Sequence, residues 1–348
     1  MNAVDYCEGY TDEIYTKMRD DQARTEAYRK VIEKYCEGKV VVDIGTGSLA
    51  LLAIMAAKGQ KKKGGKKKRL QPFDSDLKKK KAKAAKVIAM EVNKQAFVSA
   101  SEVIRQNNLS EKISLYQGYS NELEWPQNEK KSDIIVHEII GEIASCEGVY
   151  YAVEDALNRF LTDSAFGRNK VVSIPYRVQT YLTVVEFPDV EYWQSLPSKF
   201  IMPAQELKSI NLWNFPFRHF LCVPPAQRLG NEGDTVANGE PLFAKWEDIA
   251  FEKPIVLCDE LNDFTFEITK TEGVLSGLLT FINVFVDKEN TAPELNNHPL
   301  HNNTAWPNKL ILFKDKISVK KGDVVVVSAK SMLNSKQPSY QFYVQKRV

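Results

Sequence analysis

A chain of 348 residues has room for about two domains, and 43 % apolar with 26 % charged residues is the composition of an ordinary globular protein. No run of about 18 uninterrupted apolar residues occurs, which predicts no membrane span, and the acidic, polar start MNAVDYCEGYTDE does not read as a secretory leader. The five cysteines are scattered without a CxxC and the four histidines show no HExxH spacing; this argues against a disulfide framework and a metal centre and for a reducing compartment, cytoplasmic or nuclear.

The net charge of +2 is unevenly spread. Between Lys61 and Lys86 thirteen Lys or Arg stand against Asp74 and Asp76, a local charge of +11 that leaves −9 on the rest of the chain. The body is acidic and one segment is strongly basic.

In chain order, residues 5–35 carry no Gly or Pro after Gly9, and Ile14, Met18, Tyr28 and Ile32 recur at helical spacing, which predicts a helix. KVVVDIGTG opens on a continuous apolar run bounded by glycines, as a buried parallel strand does. SLALLAIMAAK (48–58) predicts a helix, VIAMEV (87–92) a strand, residues 94–107 a helix, ISLYQ (113–117) and SDIIVHE (132–138) strands, and EGVYYAVEDALNRFL (147–161) a helix. This alternation predicts an open α/β sheet of Rossmann type over residues 36–174. From about Pro175 the pattern turns β-rich: FTFEIT, GLLTFINVFV, KLILF, DVVVVSAK and YQFYVQK predict an antiparallel sandwich or barrel over residues 175–348. The lysine-rich segment, 61–86, leads from a helix into a strand. That is the edge of an α/β sheet opposite the ligand-binding end. It reads first as a solvated insertion, and otherwise as a contact for nucleic acid or an acidic partner.

Asp43-Ile-Gly45-Thr-Gly47 follows a strand and opens a helix, where glycines let a ligand approach the backbone. Two cofactors fit these residues. Gly45, Gly47 and Ala50 satisfy the dinucleotide pattern GxGxxG/A, whereas the methyltransferase pattern DxGxGxG fails only at its third glycine, which is Leu49. In either case Glu91 ends the second strand, where a carboxylate takes ribose hydroxyls. Further on, Glu138 and Glu147 lie nine positions apart just past the fourth strand, with Gly141 between them. A guanidinium is always cationic with its charge spread over three nitrogens, and a pair of carboxylates can grip it and draw charge from the nitrogen that attacks.

The Glu138–Glu147 loop resembles the double-glutamate loop of the protein arginine methyltransferases, and the resemblance runs along nearly the whole chain. It implies a Rossmann-like domain binding S-adenosylmethionine (AdoMet), a following β-barrel domain, and methyl transfer to arginine guanidinium. Tyr6 and Tyr10 match the paired aromatics of the family's first helix. Met18, Asp21 and Arg24 match the next helix, whose arginine binds the AdoMet carboxylate; the resemblance thus gives residues 1–35 the role of closing the cofactor site. By the same likeness Asp43, Gly45 and Gly47 line the methionine end, Glu91 holds the ribose and Asn121 meets adenine. Glu138 and Glu147 grip the substrate, with Asp21, Glu147 or water available to take its proton. Trp306 falls in the family's Thr-His-Trp loop, and Tyr6, Tyr10, Met18 and Trp306 bound the substrate pocket. The poorly matched stretch of about 190–245, rich in Trp and Phe, stands where the family carries a dimerisation arm and implies a homodimer. The acidic body favours Arg- and Gly-rich substrate segments.

Three departures stand out. Leu49 at the third glycine position threatens to crowd the cofactor, Ala305 replaces the histidine that pairs with the residue aligned to Asp21, and His301 is the nearest substitute. Cys146, beside Glu147, reads as packing. The departures leave open a catalytically weak scaffold or regulatory subunit, a methyltransferase for another acceptor, or a nucleotide-binding oxidoreductase.

Overall fold

The computed structural model describes residues 16, 18–58, 84–167, 170–187, 201–202, 207–212, 217–223, 240–252, 255 and 261–347. Tyr6, Tyr10 and nearly all of the lysine-rich segment lie outside them.

The first half is a five-stranded parallel sheet of order β3-β2-β1-β4-β5, built from β1 (Val40–Ile44), β2 (Lys86–Glu91), β3 (Ile113–Gln117), β4 (Ile134–His137) and β5 (Ser173–Ile174). The helices of this half are α1 (Gln22–Tyr35), α2 (Leu51–Ala57), α3 (Lys94–Gln106) and α4 (Val149–Arg159). β1, β2 and β4 are buried almost throughout. Their unbroken apolar runs follow from covered faces on both sides. Chain order reverses between β1 and β4, and such a switch point opens a crevice outside the carboxyl ends of the strands.

One long helix over 5–35 is not what forms. Residues 18–20 are helical, but Asp21 is extended (φ −66°, ψ 95°) and caps α1 by accepting the Arg24 N–H at 3.1 Å. An aspartate satisfies an orphan helix donor better than it continues a helix, and this local preference overrides the periodicity. The helix expected over 48–58 likewise starts only at Leu51, after a turn in which Ala50 takes positive φ. On either side of residues 59–83 the chain returns to nearly the same place: the Ala84 N–H donates to the Ala56 carbonyl at 2.9 Å. β2 then begins at its amino end, away from the crevice, as the reading of the lysine-rich segment requires.

The second half consists of two antiparallel sheets. The larger follows the order β7-β8-β13-β11-β6-β9 with β12 beside β11, from β6 (Arg177–Val185), β7 (Ile201–Met202), β8 (Leu207–Leu212), β9 (Ala244–Ala250), β11 (Glu272–Phe285), β12 (Leu295–Asn296) and β13 (Asn308–Lys320). The smaller is β10 (Asn262–Glu267), β14 (Val324–Met332) and β15 (Ser339–Arg347). One hydrophobic core runs through both halves, from Tyr28 and Ile88 to Phe266 and Phe342. Of the stretch expected to form a dimerisation arm, residues 208–212 pair with β13 inside the same chain. No helix among the described residues is long and apolar enough to cross a membrane.

Candidate active site

The crevice is a cleft of about 900 Å³ lined from every parallel strand end that the sequence marked. Gly45 and Gly47 follow β1, Glu91 closes β2, Gly118 to Asn121 follow β3, Ile139 follows β4, and Glu147, Gly148, Tyr151 and Ala152 belong to the turn into α4 and its first turn. Gly45 has φ +73°, and a Cβ there would stand 2.5 Å from the Ile139 side chain, so only glycine fits. Glu91 is 5 % exposed and accepts the N–H groups of Gly47 and Asn93, both at 2.8 Å, which fixes it at the cleft wall with lone pairs to spare for hydroxyl groups. Burial raises its affinity for protons, opposed by those N–H groups. Leu49 does not line the cleft, because the turn before α2 carries it aside.

A second cluster joins Asp21, Arg24, Glu138 and Trp306 through direct contacts. The buried Arg24 guanidinium is ion-paired with Glu138 Oε2 and lies 5.6 Å from the Trp306 ring. Glu138 Oε1 is buried and accepts no hydrogen bond among the described residues. Burial pushes the Glu138 carboxyl up to about 7 even though Arg24 pulls the other way. Asp21 uses both oxygens on main-chain donors, Arg24 N at 3.1 Å and Ala305 N at 2.7 Å. The partner at position 305 is therefore a peptide group, and no side chain is needed for the contact. His301 does not take the missing histidine's place: it pairs with Glu240 at 2.8 Å and stacks on His298. Met18 is half-buried in the helical residues that precede Asp21. Asp43 is fully buried, accepts the Thr46 hydroxyl at 2.5 Å, and is pushed up to about 7 by burial.

The loop joining Glu138 to Glu147 is closely folded. A Cβ at Gly141 would stand 2.2 Å from Cys146 Sγ and 3.3 Å from Glu147 Cγ, so the glycine lets the loop close on itself. Burial, with the Glu142 and Glu147 carboxylates nearby, pushes the Cys146 thiol up, which suits packing and not nucleophilic attack.

Sequence reasoning missed Thr46, Ile139, Tyr151 and Lys336. Lys336, in the turn between β14 and β15, reaches the cleft from the other half of the molecule, ion-paired with Glu122 and 4.3 Å above the Tyr119 ring. Nothing local in the sequence announces a contact across more than 200 positions. His137 is buried edge-on against Phe251 and held neutral, its pKa lowered to about 3 by burial. No group of His, Cys, Asp and Glu among the described residues could hold a metal.

No family model matches the sequence. Among curated proteins the chain is similar to protein arginine N-methyltransferase 1 of Dictyostelium discoideum, 23 % identical over 340 residues that cover 93 % of this chain and 84 % of that one. It is similar also to protein arginine N-methyltransferase 1 of Caenorhabditis elegans, 24 % identical over 325 residues covering 90 % and 79 %. Among solved structures the fold matches the Trypanosoma brucei PRMT1 enzyme-prozyme heterotetrameric complex with AdoHcy (TM-score 0.62, 15 % identity, 96 % of each chain). It also matches Arabidopsis thaliana protein arginine methyltransferase 10 (TM-score 0.59, 15 % identity, 98 % and 99 %). The chain thus shares the architecture of these structures and is similar to protein arginine N-methyltransferases over about nine tenths of its length.

Proposed function

We propose that the chain transfers a methyl group from AdoMet to a guanidinium nitrogen of arginine in proteins. The observation that carries this is Glu138: a buried carboxylate that already holds one guanidinium, at the strand end beside a cleft whose wall includes the second glutamate, Glu147. AdoMet, when bound, supplies an electrophilic methyl on a sulfonium centre. The residues present fit such a cofactor. Gly45 and Gly47 leave room for it, Glu91 and Asn121 offer polar groups at the cleft wall, and Arg24 is a buried cation for its carboxylate. Glu138 and Glu147 hold the substrate guanidinium and aim one terminal nitrogen, so that positioning supplies much of the acceleration. The product nitrogen then loses a proton, and Glu138, whose carboxyl is raised to about 7, is suited to accept it.

The substrates are cationic Arg- and Gly-rich segments, drawn to the acidic body. The active species is a homodimer formed through the aromatic stretch of residues 190–245. The Trypanosoma neighbour, an enzyme-prozyme heterotetramer, supports assembly as a property of this fold, and sedimentation of an active monomer at micromolar concentration would count against it. The alanine at position 305 favours a second reading, a weak subunit that works only beside a partner chain.

The test is labelled AdoMet with an Arg/Gly-rich peptide. Wild type methylates it, S-adenosylhomocysteine raises the melting temperature and NAD does not. Glu138→Gln and Glu147→Gln each lower kcat at least 100-fold, about 2.7 kcal/mol of barrier, while S-adenosylhomocysteine still binds. Stabilisation by NAD alone overturns the proposal, and activity that appears only with a partner chain selects the second reading.

A further inference from the structure

The two glutamates of the site sit at the ends of one loop, and the middle of that loop is fastened to a buried carboxylate in the β domain. Glu247 on β9 is 5 % exposed and no basic side chain is among its hydrogen-bond partners. Three hydroxyls donate to it: Ser145 Oγ at 2.6 Å, Thr180 Oγ1 at 2.6 Å and Ser331 Oγ at 2.8 Å. Thr180 in turn accepts the Ala144 N–H at 2.9 Å, and Ser145 Oγ lies 2.7 Å from the Tyr340 hydroxyl.

The sheet registers explain why these groups meet. Thr180 and Glu247 are directly opposed across β6 and β9, and Ser331 and Tyr340 across β14 and β15, so each sheet presents one polar cross-strand pair. The loop residues Ala144 and Ser145 bond to both pairs. Each hydroxyl has its proton on one side and a lone pair on the other, so the network closes only around an acceptor, which is what a carboxylate is. Burial raises the Glu247 pKa, while the three hydroxyls and the Ser145 backbone N–H pull it back.

We propose that Glu247 is a positioning residue for methyl transfer. It pins the centre of the loop so that Glu138 and Glu147 stay fixed although their like charges repel. The proposal rests on the methyltransferase reading for its consequence, but the pin itself is a property of the loop. Glutamates that must align a guanidinium cannot drift, since a displacement of about 1 Å can cost on the order of 100-fold in rate.

Full-length protein with Glu247→Gln, Ser145→Ala and Ser331→Ala separates pinning from mere packing. Ser145→Ala removes the loop's side-chain bond to Glu247 and leaves the Ser145 backbone N–H in place. Ser331→Ala removes a bond to the same carboxylate and leaves the loop untouched. Amide hydrogen exchange over residues 140–148 should speed up at least tenfold in Glu247→Gln and Ser145→Ala, and less than threefold in Ser331→Ala. On the arginine peptide the first two should lose at least tenfold in kcat with the KM for AdoMet within threefold, while Ser331→Ala keeps kcat within threefold at a similar loss of melting temperature. If Glu247→Gln fails to fold, Ser145→Ala carries the test alone. Equal effects of Ser145→Ala and Ser331→Ala on exchange, or none from Ser145→Ala, overturn the proposal. A wild type that transfers no methyl group to any arginine peptide counts against the methyltransferase reading, and loop exchange then decides the pin by itself.

Discussion

Asp43, next to last in the first parallel strand, is fully buried, facing the Thr46 hydroxyl and sensing the charge of Glu91. Burial raises its pKa from 3.8 to about 7, so the folded protein favours the protonated acid. The sign follows: its contribution to stability is fully present below about 4 and is lost as pH rises through about 7. Asparagine has the same shape and does not titrate. Asp43→Asn should therefore become progressively more stable relative to wild type between pH 4.5 and 8 in urea unfolding of the ligand-free protein, then level off. The buried His137 acts with the opposite sign, and it cancels in this difference because both proteins carry it. A constant difference across that range would show that Asp43 is ionised at little cost. The same residue shows what the sequence could convey: the place of Asp43 at a strand end was legible from the glycines beside it. Its protonation was not, since that depends on how completely distant groups exclude water. Arg24 and Glu138 were likewise each identifiable, but their pairing spans 114 positions and only the fold supplies it.

At the scale of elements, the parallel strands and α3 were readable because fully buried strands and amphipathic helices print their environment as an apolar pattern. The loop from Glu138 to Glu147 has no such pattern. Its shape comes from Gly141, which allows Cys146 and Glu147 to fold back over it, and from hydroxyls contributed by strands up to 195 positions away. Gly141→Ala tests the first of these. The added methyl meets Cys146 Sγ, and such overpacking costs about 1–3 kcal/mol. Calorimetry should show that loss together with at least a tenfold fall in kcat. Gly141→Ala combined with Cys146→Ala removes the clashing sulfur and should recover more than half of the stability. A stable, active single variant would mean that the loop yields freely.

Across the whole molecule, two halves of different character share one core, and the cleft takes residues from both through Lys336. The lysine-rich segment differs in charge from the rest of the chain. It connects the end of α2 to the start of β2, at the amino ends of the parallel strands, while the cleft lies at their carboxyl ends. Deleting residues 61–83 should leave turnover on a short peptide within about threefold, or ~0.65 kcal/mol. Retention on heparin or RNA at low salt should disappear, because phosphate-type contacts scale with the number of cations. Loss of most peptide activity would place the segment in the catalytic machinery instead.

The bond between Ala84 N–H and the Ala56 carbonyl has a consequence for how the chain could be rewired. Two points of the backbone 28 positions apart in sequence are held side by side before anything between them is considered. A domain inserted there would enter and leave at one place, so a protein carrying a fluorescent domain between residues 58 and 84 should retain its architecture.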